Sequence, residues 1–451
     1  MKLFFASVFA ILVVLSITAW QIQPNTEVKG KTSLLWVSDD NPARRDQITL
    51  FNKMYPEYNM TLDPSNTGME KVIVQSLAGA GPDVFDCYNG FQLTAFVKSG
   101  IAWDVTDELT KRGVNIKKDV WPAIQPLIFL DGRAYGMGTN VSVDCMWLNK
   151  DIFAAAGVPL PRGPWTWDQF VPLAQKLTRR DANGRIIQYG ALIDMSANWL
   201  QFVMQWGGNL YSEDGTRCVL NTPEAIQGLQ YMHDLIYKYH VTPSPVEEQA
   251  ATSGGWGSGT ITFFSAGKGA MALGGRWWLC TLRQSTNKLS LGVCEAPHGT
   301  YRIFRGYGKS TLINKNSPNR QKALDFLLYE TSQQYNELIN HQADGLGPII
   351  KDSYTDKFLH DKEFPEEDCN AVWRESMQYA VPEQVSPFVN GQAASRILTK
   401  QIDLIKNNQK SVPDALHTAQ DQINEEITKT IARDPSLRAR YEALMRKGGA
   451  R

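Results

Sequence analysis

The chain lacks the short signatures of most enzymes and metalloproteins. Its 451 residues hold only six cysteines, with no C-x-x-C pair and no Cys/His cluster, so the usual zinc frameworks are excluded. No His-Glu-x-x-His occurs. Gly308-Lys309-Ser310 looks like the end of a phosphate loop, but that loop needs a glycine five residues earlier, where Ile303 stands. Trp256-Gly257-Ser258-Gly259 is not the Gly-x-Ser-x-Gly of a nucleophile elbow. Net charge is missing too. Lys plus Arg and Asp plus Glu both number 46, and no basic stripe marks a nucleic-acid partner. Nothing calls for a cofactor.

Long apolar runs are scarce. The one example stretches from Leu3 to Trp20 behind Lys2, and reads as a signal peptide over residues 1–20 or as an uncleaved anchor, since a membrane span needs about 18 residues. A lipid anchor would need a cysteine just after that run, and the first is Cys87. The expectation is a periplasmic protein, without lipid. Cys280 and Cys294, nearest in sequence, are the simplest disulfide pair for an oxidising compartment; buried free thiols are the alternative.

Aromatic residues are plentiful, with 13 tryptophans that must pack into a core or line a site. Leu34-Leu35-Trp36-Val37 reads as a strand running into Asp39-Asp40-Asn41-Pro42, followed by an amphipathic helix with Ile48, Phe51 and Tyr55 on one side. Strands at 60–62 and 82–86 alternate with helices at 69–78 and 91–99, the pattern of a parallel sheet covered by helices. Further strands are expected at 141–148, 290–294 and 307–313. Residues 390–446 read as mostly helical with a break at Val412-Pro413. The Gly/Ser-rich stretch 252–259 around Trp256 reads as a mobile loop.

One block is more specific. Trp147-Leu148-Asn149-Lys150-Asp151-Ile152-Phe153 reads as a strand ending at Asn149 and a short helix ending at Gly157, and leads through a Pro-rich turn into Pro164-Trp165-Thr166-Trp167-Asp168-Gln169-Phe170, a helix capped near Thr166. It stands in order with Gly81-Pro82-Asp83-Val84-Phe85, Asp131-Gly132-Arg133-Ala134-Tyr135-Gly136, Gly267-Lys268-Gly269-Ala270-Met271, Gly275-Arg276-Trp277 and Gly345-Leu346-Gly347-Pro348. The ordered set resembles the extracellular solute-binding proteins of ATP-binding-cassette importers, in their large carbohydrate-binding branch. The resemblance runs from Leu34 to about Glu426.

That resemblance implies an α/β, two-lobed periplasmic binding protein fold. Each lobe would be a parallel-type sheet flanked by helices, with a ligand cleft between. Crossings are expected near 140–142, 305–309 and 345–348. The N-terminal lobe would be 30–140 plus 309–345; the C-terminal lobe, with a helical tail, would be 141–305 plus 349–451. The lobes would close by hinge motion. Implied partners are a carbohydrate and two permease subunits of the inner membrane, for a protein expected to be monomeric.

Carried onto this sequence, the maltose-binding pattern implies ligand contacts from Asp39 and Asp40, from Asp86 and Asn89, from Asn140 and Ser142, from Asn198 and Trp199, and from Trp277. Ser142 stands where that pattern has a carboxylate. Composition and place add Trp256, Arg276, Arg305 and Tyr307. Asp39 and Asp40 have a second reading as caps of the following helix, and Arg276 and Arg305 as partners of nearby carboxylates. Strand alternation sends Trp278 away from the cleft if Trp277 faces it.

Four functions are in question. The main one is a sugar-binding importer component that performs no chemistry. A ligand with its own carboxylate or phosphate is the alternative, since two cleft arginines would clamp it. A secreted glycoside-acting enzyme would need two carboxylates about 5–10 Å apart; Glu247, Glu248, Glu366, Glu367 and Asp368 are available but read as solvated loop faces. A chemosensory sugar-binding module would use the same closed form as an importer component.

Overall fold

A computed structural model describes residues 28–64, 68–251 and 259–448. The apolar leader and Trp256 therefore lie outside the described residues. Three parallel strands open the fold: β1 (Thr32–Val37) pairs with β2 (Tyr58–Asp63) on one side and β3 (Val84–Cys87) on the other. The helices that follow them, α1 (Ala43–Met54), α2 (Met69–Leu77) and α3 (Gly90–Lys98), start within two residues of their expected positions. Phe51 is fully buried on α1 and stacks on Tyr58 and Tyr55, with the edge of Phe326 against it.

The strand expected at 141–148 is the inner part of a much longer one. β4 (Gly136–Asn149) is buried along nearly its whole length. Its second half pairs antiparallel with β6 (Gly269–Gly275) and β7 (Leu291–Cys294), and β6 pairs parallel with β5 (Ile186–Leu192). Its first half pairs antiparallel with β8 (Phe304–Ile313), which in turn pairs antiparallel with β3. One mixed sheet thus runs β2-β1-β3-β8-β4-β6-β5 and on to an edge strand at Arg179–Arg180. The fold is two-lobed, and β4 and β8 are the strands the two ends of the sheet share. The expected parallel character holds among β1, β2 and β3 and between β5 and β6; β4, β8 and the edge strand at Arg179–Arg180 pair antiparallel with their neighbours in that order.

Segment 345–348 lies beside this pair, with Leu346 and Val141 exchanging backbone hydrogen bonds of 2.7 and 3.0 Å. Downstream, Gly391–Lys406 and Val412–Arg433 are helices. Pro413 sits in the first turn of the second, where a missing N–H costs nothing, so it starts a helix rather than breaking one. The block at 147–170 folds as read: Asn149 caps the helix Lys150–Ala155, and Thr166 and Gln169 form a capping box on Trp167–Leu177.

Trp36, Trp147, Trp167 and Trp373 are fully buried and Trp278 nearly so. The Trp147 and Trp278 rings lie parallel at 6.4 Å. All six cysteines are free thiols, which corrects the proposed Cys280–Cys294 disulfide. Burial pushes the Cys280 thiol up to about 12 and raises that of Cys294 as well, which leaves both unreactive near neutral pH.

Candidate functional site

The carboxyl ends of β1 and β3 meet the middle of β8 and β4. In an α/β sheet this is where loops leave room for a ligand. On the shared strands Tyr307 stands opposite Ser142 and Lys309 opposite Asn140. With two-residue periodicity, Arg305, Tyr307 and Lys309 take one face of β8. The register then shifts between Lys309 and Ser310, so that Ser310 pairs with Gly138 and Thr139 is skipped. Such a bulge re-aims side chains beside a site.

Lys309 is the buried centre, only 2% exposed. Its ammonium is ion-paired with Asp86, lies 3.2 Å from Asp39, donates to Ser38 Oγ at 2.8 Å and sits 5.0 Å from the Trp36 ring centroid. Asp86, buried behind it, also accepts from Trp36 Nε1 at 2.8 Å. Arg44, on the first turn of α1, is equally buried and is paired with both Asp39 and Asp344. Asp344 accepts further bonds from Asn41 and Asn140, each at 3.1 Å. One network of fixed charges therefore joins the loop after β1, strands β4 and β8, and the segment leading into 345–348.

Asp39 is the member of this network that reaches the opening, with about a quarter of its side chain exposed. Burial by itself would raise its carboxyl; Lys309 and Arg44 overcome that and hold it well below the ordinary carboxylate range. It stands as a fixed, ionised acceptor, with the Tyr88 hydroxyl donating at 3.1 Å. Trp277 is across the opening, half-buried, with its Nε1 donating to Tyr307 Oη at 3.0 Å. Asp39, Arg44, Tyr88, Asn140, Ser142 and Trp277 line one cavity of about 330 Å³. A second, of about 270 Å³, shares Tyr88 and Tyr307 with the first and adds Asn89, Trp199 and Arg305.

The Tyr307 hydroxyl donates to Asp144 Oδ1 at 2.8 Å, and the Arg305 guanidinium lies 4.5 Å from the Tyr307 ring centroid. Burial raises the Asp144 carboxyl, opposed by Arg305, which approaches it to 3.9 Å. Arg305 also donates to the Ala197 carbonyl at 3.0 Å.

The cleft thus brings together Asp39, Asn89, Asn140, Ser142, Trp199, Trp277, Arg305 and Tyr307. Asp86 sits behind it as the partner of Lys309. Asp40 points outward, exposed and 3.7 Å from Arg45. Neither aspartate caps α1; Asn41 Oδ1 accepts from the Ala43 N–H instead. Asn198 is buried on the helix Met195–Gln205, where its amide donates to the Asp194 carbonyl. The largest correction concerns Arg276, which has no exposed surface. Its three guanidinium nitrogens donate to Asn370 Oδ1, Gly345 O and Asn340 O at 2.7–2.9 Å. Burial lowers it to about 10. It clamps Gly345 in place and, fully buried, presents no surface to a ligand. Trp278 is buried as expected, but Arg276–Trp278 is a 3-10 turn, so the divergence from Trp277 is not strand alternation.

Lys309, Arg44, Tyr88 and Asp344 were missed. Lys309 carried a readable signal, since it continues the period-two series of Arg305 and Tyr307. Asp344 adjoins Gly345 at the third crossing. Arg44 carried none, because an arginine in a first helical turn reads as solvated.

A pocket walled by fixed polar groups and aromatic faces from both ends of one sheet is built to enclose a small polar solute. The chain belongs to the bacterial extracellular solute-binding protein family, whose sequence pattern matches residues 37–337. It is 22% identical to an arabinooligosaccharide-binding protein of Bacillus subtilis (strain 168), over 93% of this chain and 98% of that one. Among solved structures it is similar to an ABC substrate-binding protein from Listeria monocytogenes in complex with cycloalternan, with TM-score 0.74 and 22% identity over 88% of this chain and 98% of that one. A Mycobacterium tuberculosis protein in complex with glycerophosphocholine superposes with TM-score 0.74 and 16% identity, over 89% of this chain and all of that one. Among the described residues no helix is long and apolar enough to cross a membrane.

Proposed function

We propose that this protein is the periplasmic binding component of an ABC-type importer for a neutral carbohydrate. It would act as a monomer, perform no chemistry and hand its ligand to membrane permeases. The carrying observation is Asp39, held ionised by Lys309 and Arg44 in the same cavity as the half-buried Trp277 ring. A sugar presents hydroxyl rims and apolar C–H faces, and these two groups answer the two surfaces. The Bacillus relative's arabinooligosaccharide supports the class.

Neutrality follows from the charge pairing. Lys309 and Arg44 are already matched by Asp86, Asp39 and Asp344, and Arg276 is spent inside the protein. An anion would have Arg305 alone, itself beside Asp144. Two of the five carboxylates considered for an enzyme are committed as well: Glu367 to Arg283 at 2.7 Å and Glu248 to Lys406 at 3.1 Å. The lobes are best divided where β4 and β8 cross, near 140 and 309, with 345–348 as third connection.

The test is thermal unfolding of the exported chain against neutral sugars, uronic acids, glycerophosphates and amino acids. A ligand at about 100 times its dissociation constant stabilises by about 2.7 kcal/mol. Stabilisation by neutral sugars is the expected result. Stabilisation by anionic ligands alone would overturn the neutral assignment, and hydrolysis of a glycoside would overturn the whole reading.

A further inference from the structure

The half-buried ring of Trp277 faces the inner cavity from the 3-10 turn Arg276–Trp278. Its two neighbours in that turn are buried anchors. Arg276 has no exposed surface, and Trp278 lies parallel to Trp147. They hold the backbone. The ring itself turns about two side-chain bonds, and an indole on a fixed backbone still has several staggered positions open to it. Only some of these offer a flat face to a sugar.

One hydrogen bond ties the ring, and its direction is forced. An indole N–H can only donate, so Tyr307 Oη, 3.0 Å away, must accept. The Tyr307 hydroxyl then needs an acceptor for its own hydrogen, and Asp144 Oδ1 takes it at 2.8 Å. Asp144 is only 3% exposed and ends the chain inside the protein. The chain from Trp277 through Tyr307 to Asp144 ties together the turn after β6, strand β8 and strand β4. Linked hydrogen bonds of this kind polarise and strengthen one another.

Gly275 makes room for the chain. A Cβ there would collide with Tyr307 Oη, and would fall 2.6 Å from Ser142 Oγ and 2.7 Å from Trp277 Cδ1. The Tyr307 hydroxyl thus occupies the space that a side chain at the end of β6 would fill. What Tyr307 offers a ligand is correspondingly small. Its one hydroxyl hydrogen is committed to Asp144, and the Arg305 guanidinium lies over its ring, 4.5 Å from the centroid.

We infer that Tyr307 is a positioning residue: it acts on a bound sugar through Trp277, by holding the indole ring in the orientation that meets a sugar face. Asp144 and Gly275 support it in that role. The inference rests on the carbohydrate reading above. Two experiments on the exported chain test it. The first uses ligand-free protein labelled with heavy nitrogen at tryptophan, in which the Trp277 indole N–H resonance is the one lost in Trp277→Phe. Tyr307→Phe removes only the hydroxyl, and should move that resonance and hasten its exchange with water. The second titrates glucose, arabinose, maltotriose and arabinotriose calorimetrically into wild type, Tyr307→Phe, Trp277→Phe and the double variant. Ordering one free side chain on binding weakens affinity about two- to tenfold, so Tyr307→Phe should weaken the sugar that binds by about that factor. In the Trp277→Phe background, with no N–H left to hold, the same change should cost less than about twofold. Both substitutions keep an aromatic ring, and the melting temperature checks that each variant is folded. Equal weakening in both backgrounds would mean a direct contact with the sugar and overturns the inference. So does an unchanged affinity in Tyr307→Phe, or an indole resonance that the variant leaves in place; in all three cases the carbohydrate reading stands. Failure of all four sugars to bind wild type at millimolar concentration overturns the carbohydrate reading and the inference with it.

Discussion

Replacing Lys309 by methionine keeps the length of the side chain and removes its charge. The ammonium it deletes is the direct counter-charge of Asp86, whose carboxylate is 1% exposed, and one of two for Asp39. Asp39 retains Arg44. Asp86 retains only neutral donors, Trp36 Nε1, Ser38 Oγ and the Tyr88 hydroxyl at 3.3 Å. Breaking a buried pair from one side costs about 3–5 kcal/mol, chiefly because a charge is left unmatched. The three remaining donors place this case near the lower end, about 3 kcal/mol. With an unfolding entropy of about 2.1 cal/mol/K per residue, a 451-residue chain unfolding as one unit would melt about 3 °C lower. The sharper assay is urea unfolding at pH 7 of wild type, Lys309→Met, Asp86→Asn and the double variant. If the cost lies in the unmatched carboxylate, the double variant recovers to within about 1 kcal/mol of wild type, since removing both partners of a buried pair is often nearly neutral. A single variant as stable as wild type, or a double variant no better than the single, would refute the reasoning. In either case Lys309 would not be the counter-charge on which the network depends.

Trp277→Ala should weaken binding of the preferred sugar roughly 5- to 30-fold, about 1–2 kcal/mol of ring-face contact, as read by calorimetry. Asp39→Asn should cost stability in a pH-dependent way. The folded carboxyl lies below its unfolded value of about 3.9, so its contribution is present above that pH and is lost as pH falls towards the folded value. The gap to wild type in urea melts should be flat from pH 5 to 8 and narrow below about pH 4. Glu330 should behave with the opposite sign. It is fully buried between Thr139 and Thr311, and burial raises its carboxyl well above the usual range. Wild type should therefore lose stability relative to Glu330→Gln as pH rises from about 4.3, the unfolded value, towards the folded one. A gap independent of pH between 4 and 8 would contradict the burial of an acidic group there.

Much of this architecture was legible in the chain. Leu34–Val37, the helix after Asn41 and the capping box at Thr166 and Gln169 announce themselves because period, cap and turn agree locally. The side chains of the shared strands were named on other grounds, Arg305 and Tyr307 from their place on an expected crossing and Asn140 and Ser142 from the family pattern. Misreadings cluster where partners come from far along the chain. Arg276 beside Trp277 looks like a ligand group, yet its hydrogen-bond acceptors lie 64, 69 and 94 residues away. Asp40 adjoins the aspartate that matters but turns outward. A strand read as beginning at Val141 begins at Gly136, because glycine and Thr139-Asn140 lower the local hydrophobic signal. The bulge opposite Lys309 has no sequence mark at all, being a property of two strands together.

That bulge also bears on how the site works. A ligand lying between Asp39 and Trp277 rests over Asn140, Ser142, Tyr307 and Lys309, two facing pairs on β4 and β8. These are the strands that join the two ends of the sheet. A change in the angle between the ends must pass through them, and through segment 345–348, whose first residue Arg276 clamps at its carbonyl and which follows directly on Asp344, held by Arg44. Packed sheets bend least along regular ladders and most where a ladder is interrupted, and the interruption here falls between Lys309 and Ser310. The residues that would sense the ligand are therefore the residues about which the lobes would turn. A bound ring would need to transmit nothing over a distance to favour one angle over another: if the ligand takes the proposed contacts, satisfying Asp39, Asn140 and Trp277 at once would already fix the geometry of the joint.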